Sequence, residues 1–130
     1  MSSERPDRRR TLRAAFGYAL SGIVHTVRTQ RNMRIHLVIA LLVLVASALL
    51  RLTGPEWAAI IICIVMVLAA ETLNTGIEAL VDSISPEIHP LAKIAKDAAA
   101  GMVLLLAIGA ALVGLIIFAT ALVRIGGWTL

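Results

Sequence analysis

Apolar residues recur along this chain in four helical stretches separated by short polar breaks. From Thr11, the positions Leu12, Ala15, Phe16, Leu20, Ile23, Val24 and Val27 repeat at three- and four-residue spacing, with Arg13, Ser21, His25 and Arg28 on the other side. That pattern predicts an amphipathic helix over 11–30, lying in the plane of a membrane surface. A soluble helix packed on a core is the alternative, and too little soluble chain exists to pack it against. After the polar knot Arg28-Thr29-Gln30-Arg31-Asn32, a first span is predicted at about 33–51. Its apolar part, Ile35 to Leu50, is interrupted only by His36 and Ser47. At about 1.5 Å per residue that part is short of a bilayer core of about 30 Å, so Met33 and a snorkelling Arg34 extend it. His36, near the start of the span, reads as an interfacial histidine rather than a ligand.

Arg51 to Glu56 contains Gly54 and Pro55 and reads as a tight connection, with Trp57 as an interface anchor. A second span of about 56–84 follows, stopped near Ser85-Pro86, and residues 85–90 read as a turn. The last span, about 91–124, includes Ala98 to Val123 without a single charge. It is the strongest transmembrane signal in the chain. Met1 to Arg10, polar and carrying Pro6, reads as a disordered cytoplasmic tail. Residues 11–130 then form one membrane domain. The expected class is an all-α membrane protein with a surface helix and three transmembrane helices.

Composition supports this: 59% of the 130 residues are hydrophobic, only 15% are charged, and mean hydropathy is +0.91. A pI near 10.2 raises the question of nucleic acid. The basic residues are too segregated and the aromatics too few for that, so no nucleic-acid partner is expected. Ten of the twelve basic residues flank the N-terminal side or the 84–97 connection, while Arg51 and Arg124 lie opposite. The positive-inside rule therefore puts the N-terminus and the Glu71–Asp97 region on the cytoplasmic side. The lone Cys63 excludes an internal disulfide and reads as packing or lipid-facing.

Candidate chemistry lies at the end of the second span. At about 100° per residue, Glu71, Asn74, Glu78 and Asp82 share an arc of roughly 80°. Like charges one turn apart repel, and carboxylates at a bilayer edge are costly unless paired, hydrated or coordinated. The stripe invites a cation. With Lys96 and Asp97 nearby, it could hold Mg²⁺, neutralise phosphate charge and position an acceptor hydroxyl. No Walker-type loop, dinucleotide fingerprint or protein-kinase signature is present. A rival of comparable weight is an oligomeric cation- or proton-conducting membrane protein, using the same carboxylates. The acids lie at a span end rather than at mid-depth, and no inverted repeat is visible, which count against it. Ala110 and Gly114 form a small-residue pair suited to close helix packing. Three spans make a thin bundle, so a homo-oligomer is expected.

The motif Glu71-x-x-Asn74-Thr75-x-x-Glu78-x-x-x-Asp82, followed by His89-Pro90-Leu91-Ala92-Lys93-Ile94-Ala95-Lys96-Asp97-Ala98-Ala99-Ala100-Gly101, resembles the small prokaryotic integral-membrane diacylglycerol kinase and undecaprenol kinase family. Arg31-Asn32-Met33-Arg34-Ile35-His36 looks like the start of that family's first span, and the resemblance covers about Leu12 to Leu122. It implies a homotrimer in the prokaryotic cytoplasmic (inner) membrane, transferring the γ-phosphoryl group of ATP to a lipid alcohol with Mg²⁺. By matching position it implies Glu71 as general base, with Asn74 positioning substrate or phosphate. It likewise implies Glu78 as a Mg²⁺ ligand, Asp82 and Asp97 on the nucleotide, Lys96 on its phosphates and His89 beside it.

Two positions depart from the pattern. Gln30 stands where many members carry a metal-binding Glu; an amide oxygen can still ligate Mg²⁺ but brings no charge. Gly76 replaces a small alanine and loosens an exposed helix by roughly 1 kcal/mol. The Arg31-Asn32 and His89–Asp97 segments look closer to the undecaprenol branch, and the acceptor stands as diacylglycerol or undecaprenol.

Overall fold

A computed structural model of the chain describes residues 11–84 and 89–127; the N-terminal tail and most of the 85–90 turn lie outside the described residues. Four helices follow in order: α1 (Leu12–Thr29), α2 (Arg31–Leu49), α3 (Gly54–Ile84) and α4 (Pro90–Gly126). No strand occurs among the described residues. α2, α3 and α4 are each long and apolar enough to cross a membrane.

Local chemistry sets the ends. The Thr11 hydroxyl accepts from the Ala14 N–H at 3.3 Å and caps α1. Gln30 alone separates α1 from α2, with extended backbone and no side-chain cap bond. Arg34 closes that corner by donating through Nη1 to the Arg28 carbonyl at 3.3 Å, satisfying an acceptor that the end of α1 leaves open. α2 stops two residues before the expected boundary. The Arg51 N–H bonds the Ala48 carbonyl and the Leu52 N–H bonds the Ser47 carbonyl, both at 3.2 Å, with Arg51 at φ +51°. That is a Schellman ending, carried by an arginine where glycine is usual.

α3 begins two residues earlier than expected. Its Glu56 reaches back to accept from the Thr53 N–H at 2.7 Å, half of a capping box. Glu56 also receives a two-pronged bond from Arg124, Nη1 to Oε1 at 2.9 Å and Nη2 to Oε2 at 3.0 Å. α4 starts on His89, whose Nδ1 accepts from the Leu91 N–H at 3.2 Å, with Pro90 in the first turn. It ends on Gly127, in the left-handed region at φ +66°.

α3 is the central element. α4 packs along it, α2 packs against it more sparsely, and α1 touches both α2 and α3. Glu56–Arg124 clasps one end of the α3–α4 pair and Asp82–Lys96, at 2.8 Å, clasps the other. Glu56 to Asp82 spans 26 residues and Lys96 to Arg124 spans 28, so the two helices run antiparallel in step. At 31 and 37 residues, α3 and α4 are about 46 and 55 Å long, well beyond a hydrocarbon core of about 30 Å. The excess projects at the end where charges collect. The buried core sits at the opposite end, where Leu52, Ile60 and Ala121 pack with Trp57, Ile64 and Phe118. Trp57, expected as an interface anchor, packs against that core. Leu41, Leu42, Leu104, Leu105, Leu112 and Ile116 stay exposed, a surface suited to lipid rather than water.

Candidate active site

α3 turns Val67, Ala70, Glu71, Asn74 and Thr75 inward. Glu71 is 2% exposed and Asn74 7%. The Thr75 hydroxyl is spent on the Glu71 carbonyl at 2.9 Å, an ordinary turn-to-turn bond. The Asn74 amide nitrogen donates to Glu78 Oε1 at 3.3 Å. Glu71 Oε2 and Asn74 Oδ1 are buried acceptors without a hydrogen-bond partner among the described residues. An unpaired buried polar group costs about 1–3 kcal/mol, and more when charged. Two side by side mark a place built to receive a donor or a cation.

Both open on a cavity of about 290 Å³ between α2, α3 and α4. α2 contributes Asn32, Ile35 and His36, and α4 contributes Ala100, Val103, Leu104 and Ala107. A second cavity, of about 440 Å³ and almost wholly apolar, adjoins it and shares His36 and Ala107. Its walls include Ala40, Val43, Val67, Ala110 and Gly114. The small-residue pair therefore does not bring helices into close contact within the chain: a Cβ at Gly114 would meet no atom within 4 Å. These small residues instead leave room. Cys63 also lines this cavity.

The remaining expected site residues separate into pairs. Lys96 Nζ donates to Asp82 Oδ1 at 2.8 Å, and Lys93 pairs with Asp97 one turn on. His89 is occupied in capping α4. Gln30 sits at the α1–α2 corner, outside both cavities. Glu71 and Asp82 thus share a side of α3 but not an environment. α2 and α4 flank the first, whereas the second is exposed and meets Lys96 of α4. Among the described residues no three His, Cys, Asp or Glu side chains converge as a metal cluster. Mg²⁺ does not require one, since it keeps several waters and takes one or two carboxylates plus phosphate oxygens. The oxygen donors Glu78, Asn74 and Glu71, with two acceptors left unpaired, fit such an ion.

The sequence profile described as "Prokaryotic diacylglycerol kinase" matches residues 17–118. The chain belongs to the prokaryotic diacylglycerol kinase family. It is 44% identical over 104 residues to the undecaprenol kinase of Bacillus subtilis (strain 168), a match covering 80% of this chain and 85% of that protein. It is 43% identical over 104 residues to a diacylglycerol kinase of a Synechocystis species, covering 79% of this chain and 59% of that one. A Pseudomonas aeruginosa diacylglycerol kinase is 36% identical over 83 residues, covering 64% of this chain and 68% of that enzyme. Membership makes the chain a lipid kinase and, with three apolar helices, a multi-pass membrane protein. The choice between enzyme and conducting channel falls to the enzyme.

Reading along the sequence missed the contribution of α2. Asn32 and His36 stand one turn apart and both line the Glu71 cavity. The available signal was that His36 interrupts an otherwise apolar run.

Proposed function

We propose that this kinase transfers the γ-phosphoryl group of ATP to the hydroxyl of diacylglycerol or undecaprenol, at the cytoplasmic face of the prokaryotic inner membrane. The observation that carries this reading is the buried Glu71 oxygen, without a partner among the described residues, in a polar cavity that adjoins an apolar one. A lipid chain suits the apolar side, and the hydroxyl at its end then meets a carboxylate able to accept its proton.

Glu71 takes the hydroxyl proton as the hydroxyl oxygen bonds to the γ-phosphorus. The bond from that phosphorus to the bridging oxygen of ATP breaks, its electron pair leaves on ADP, and Glu71 later releases the proton to water. Asn74 holds Glu78 through its amide nitrogen and keeps its carbonyl oxygen directed at substrate or metal. Mg²⁺, when bound, supplies neutralisation of phosphate charge; Glu78 and the Asn74 oxygen would hold it, with Gln30 as a candidate neutral donor. Lys96 serves the phosphates, Asp82 and Asp97 serve the nucleotide, and His89 lies beside it. In the structure Lys96 is paired with Asp82, so nucleotide phosphates compete with that carboxylate for the ammonium group. The functional unit is a homotrimer of 11–130 domains. The relatives of nearly equal identity carry names for different acceptors, so both lipids belong in the test.

ADP release by the purified protein in lipid-supplemented micelles, with Mg²⁺ and ATP, checks the reading. Turnover that depends on either diacylglycerol or undecaprenol is expected, and the faster acceptor names the substrate. A folded oligomer releasing no ADP with either lipid would overturn it.

A further inference from the structure

His36 is half-buried and makes no side-chain hydrogen bond to another described residue. It lines the polar cavity with Glu71 and the apolar cavity as well, so it stands where a lipid chain would end and its hydroxyl begin. Glu71 Oε2 and Asn74 Oδ1 only accept hydrogen bonds, whereas a neutral imidazole offers one donor and one acceptor. A hydroxyl has a single hydrogen and two lone pairs. If its hydrogen points to Glu71, a donor at one lone pair fixes its rotation and leaves the other for the γ-phosphorus. Among the titratable residues lining the polar cavity, His36 is the one facing Glu71 from another helix.

We propose that His36 is a positioning residue for the phosphoryl acceptor, its imidazole N–H donating to the hydroxyl that Glu71 deprotonates. The proposal rests on the phosphotransfer reading above and adds to it a residue on a different helix. Loss of an orienting contact of this kind lowers turnover without disturbing a distant nucleotide site.

The test compares wild type, His36→Leu and His36→Gln by steady-state kinetics with the lipid that turns over. For His36→Leu, kcat with lipid should fall about 10- to 100-fold while KM for Mg-ATP stays within about twofold. His36→Gln, which keeps an N–H donor, should recover most of the loss. Wild-type rates in His36→Leu, an equal loss in His36→Gln, or a defect confined to the ATP KM would each overturn the proposal. Should His36→Leu fail to assemble, imidazole ¹⁵N resonances of the wild-type protein decide. On adding the lipid acceptor without nucleotide, the His36 signal should shift while those of His25 and His89 stay, and an unmoved His36 signal at saturating lipid would refute the contact. Absence of lipid-dependent ADP release by wild type is a different failure, one that strikes the phosphotransfer reading itself.

Discussion

A carboxylate and an amide, each buried with an oxygen that no described residue donates to, are a poor use of two side chains unless a ligand completes them. Glu71→Gln should therefore lower lipid phosphorylation about 10²- to 10⁴-fold, the usual reach of a positioned base. Its thermal midpoint should be no lower than that of wild type, since a neutral amide is less costly to bury than an ionised carboxylate. Glu78→Gln should shift the Mg²⁺ titration of activity to higher concentration, and an unchanged titration would remove Glu78 from the metal site. The 71, 74, 78, 82 spacing made the polar arc legible, because residues three and four apart share a helix face. It could not show which members are buried. That depends on what flanks α3: α2 and α4 cover Glu71, whereas Asp82 stays exposed and meets Lys96 of α4. His36 was illegible as a site residue for the same reason: its relation to Glu71 is between helices.

At the scale of elements, helix existence and order followed from hydrophobic periodicity, and boundaries differed by about two residues where capping decides them. The Schellman ending at Arg51 and the Glu56 reach-back move the α2–α3 connection to 50–53. Arg51→Gly should raise thermal stability, as a non-glycine residue in the left-handed region costs roughly 1 kcal/mol or more. Gly76 is exposed and a Cβ there would meet nothing within 4 Å in its own chain. Gly76→Ala should thus stabilise α3 by up to about 1 kcal/mol, read as a higher midpoint in thermal unfolding. A lower midpoint with loss of oligomer would instead locate a neighbouring protomer at this face. Ala110 and Gly114 show how a small-residue pair is ambiguous in sequence: within the chain it lines a cavity and draws no two helices together.

For the molecule as a whole, the distribution of charge and the length of α3 and α4 agree on one polarity. Both helices are longer than a bilayer core, and the excess carries Asp82 and Lys96, the end at which the proposed function places the nucleotide. The far end is closed by the Glu56–Arg124 clasp and the buried core. In a Cys63→Ala background, a cysteine at Ser83 should react with an impermeant thiol reagent only from the cytoplasmic side, and one at Thr53 only from outside. The reverse labelling would invert the topology.

The most direct test of the central claim is transfer of label from [γ-³²P]ATP into extractable lipid, by wild type and by Glu71→Gln at equal folded oligomer. The expected result is labelled lipid phosphate from wild type with Mg²⁺ and acceptor, reduced about a hundredfold or more in the variant. Full labelling by Glu71→Gln would contradict the assignment of the buried carboxylate as the base.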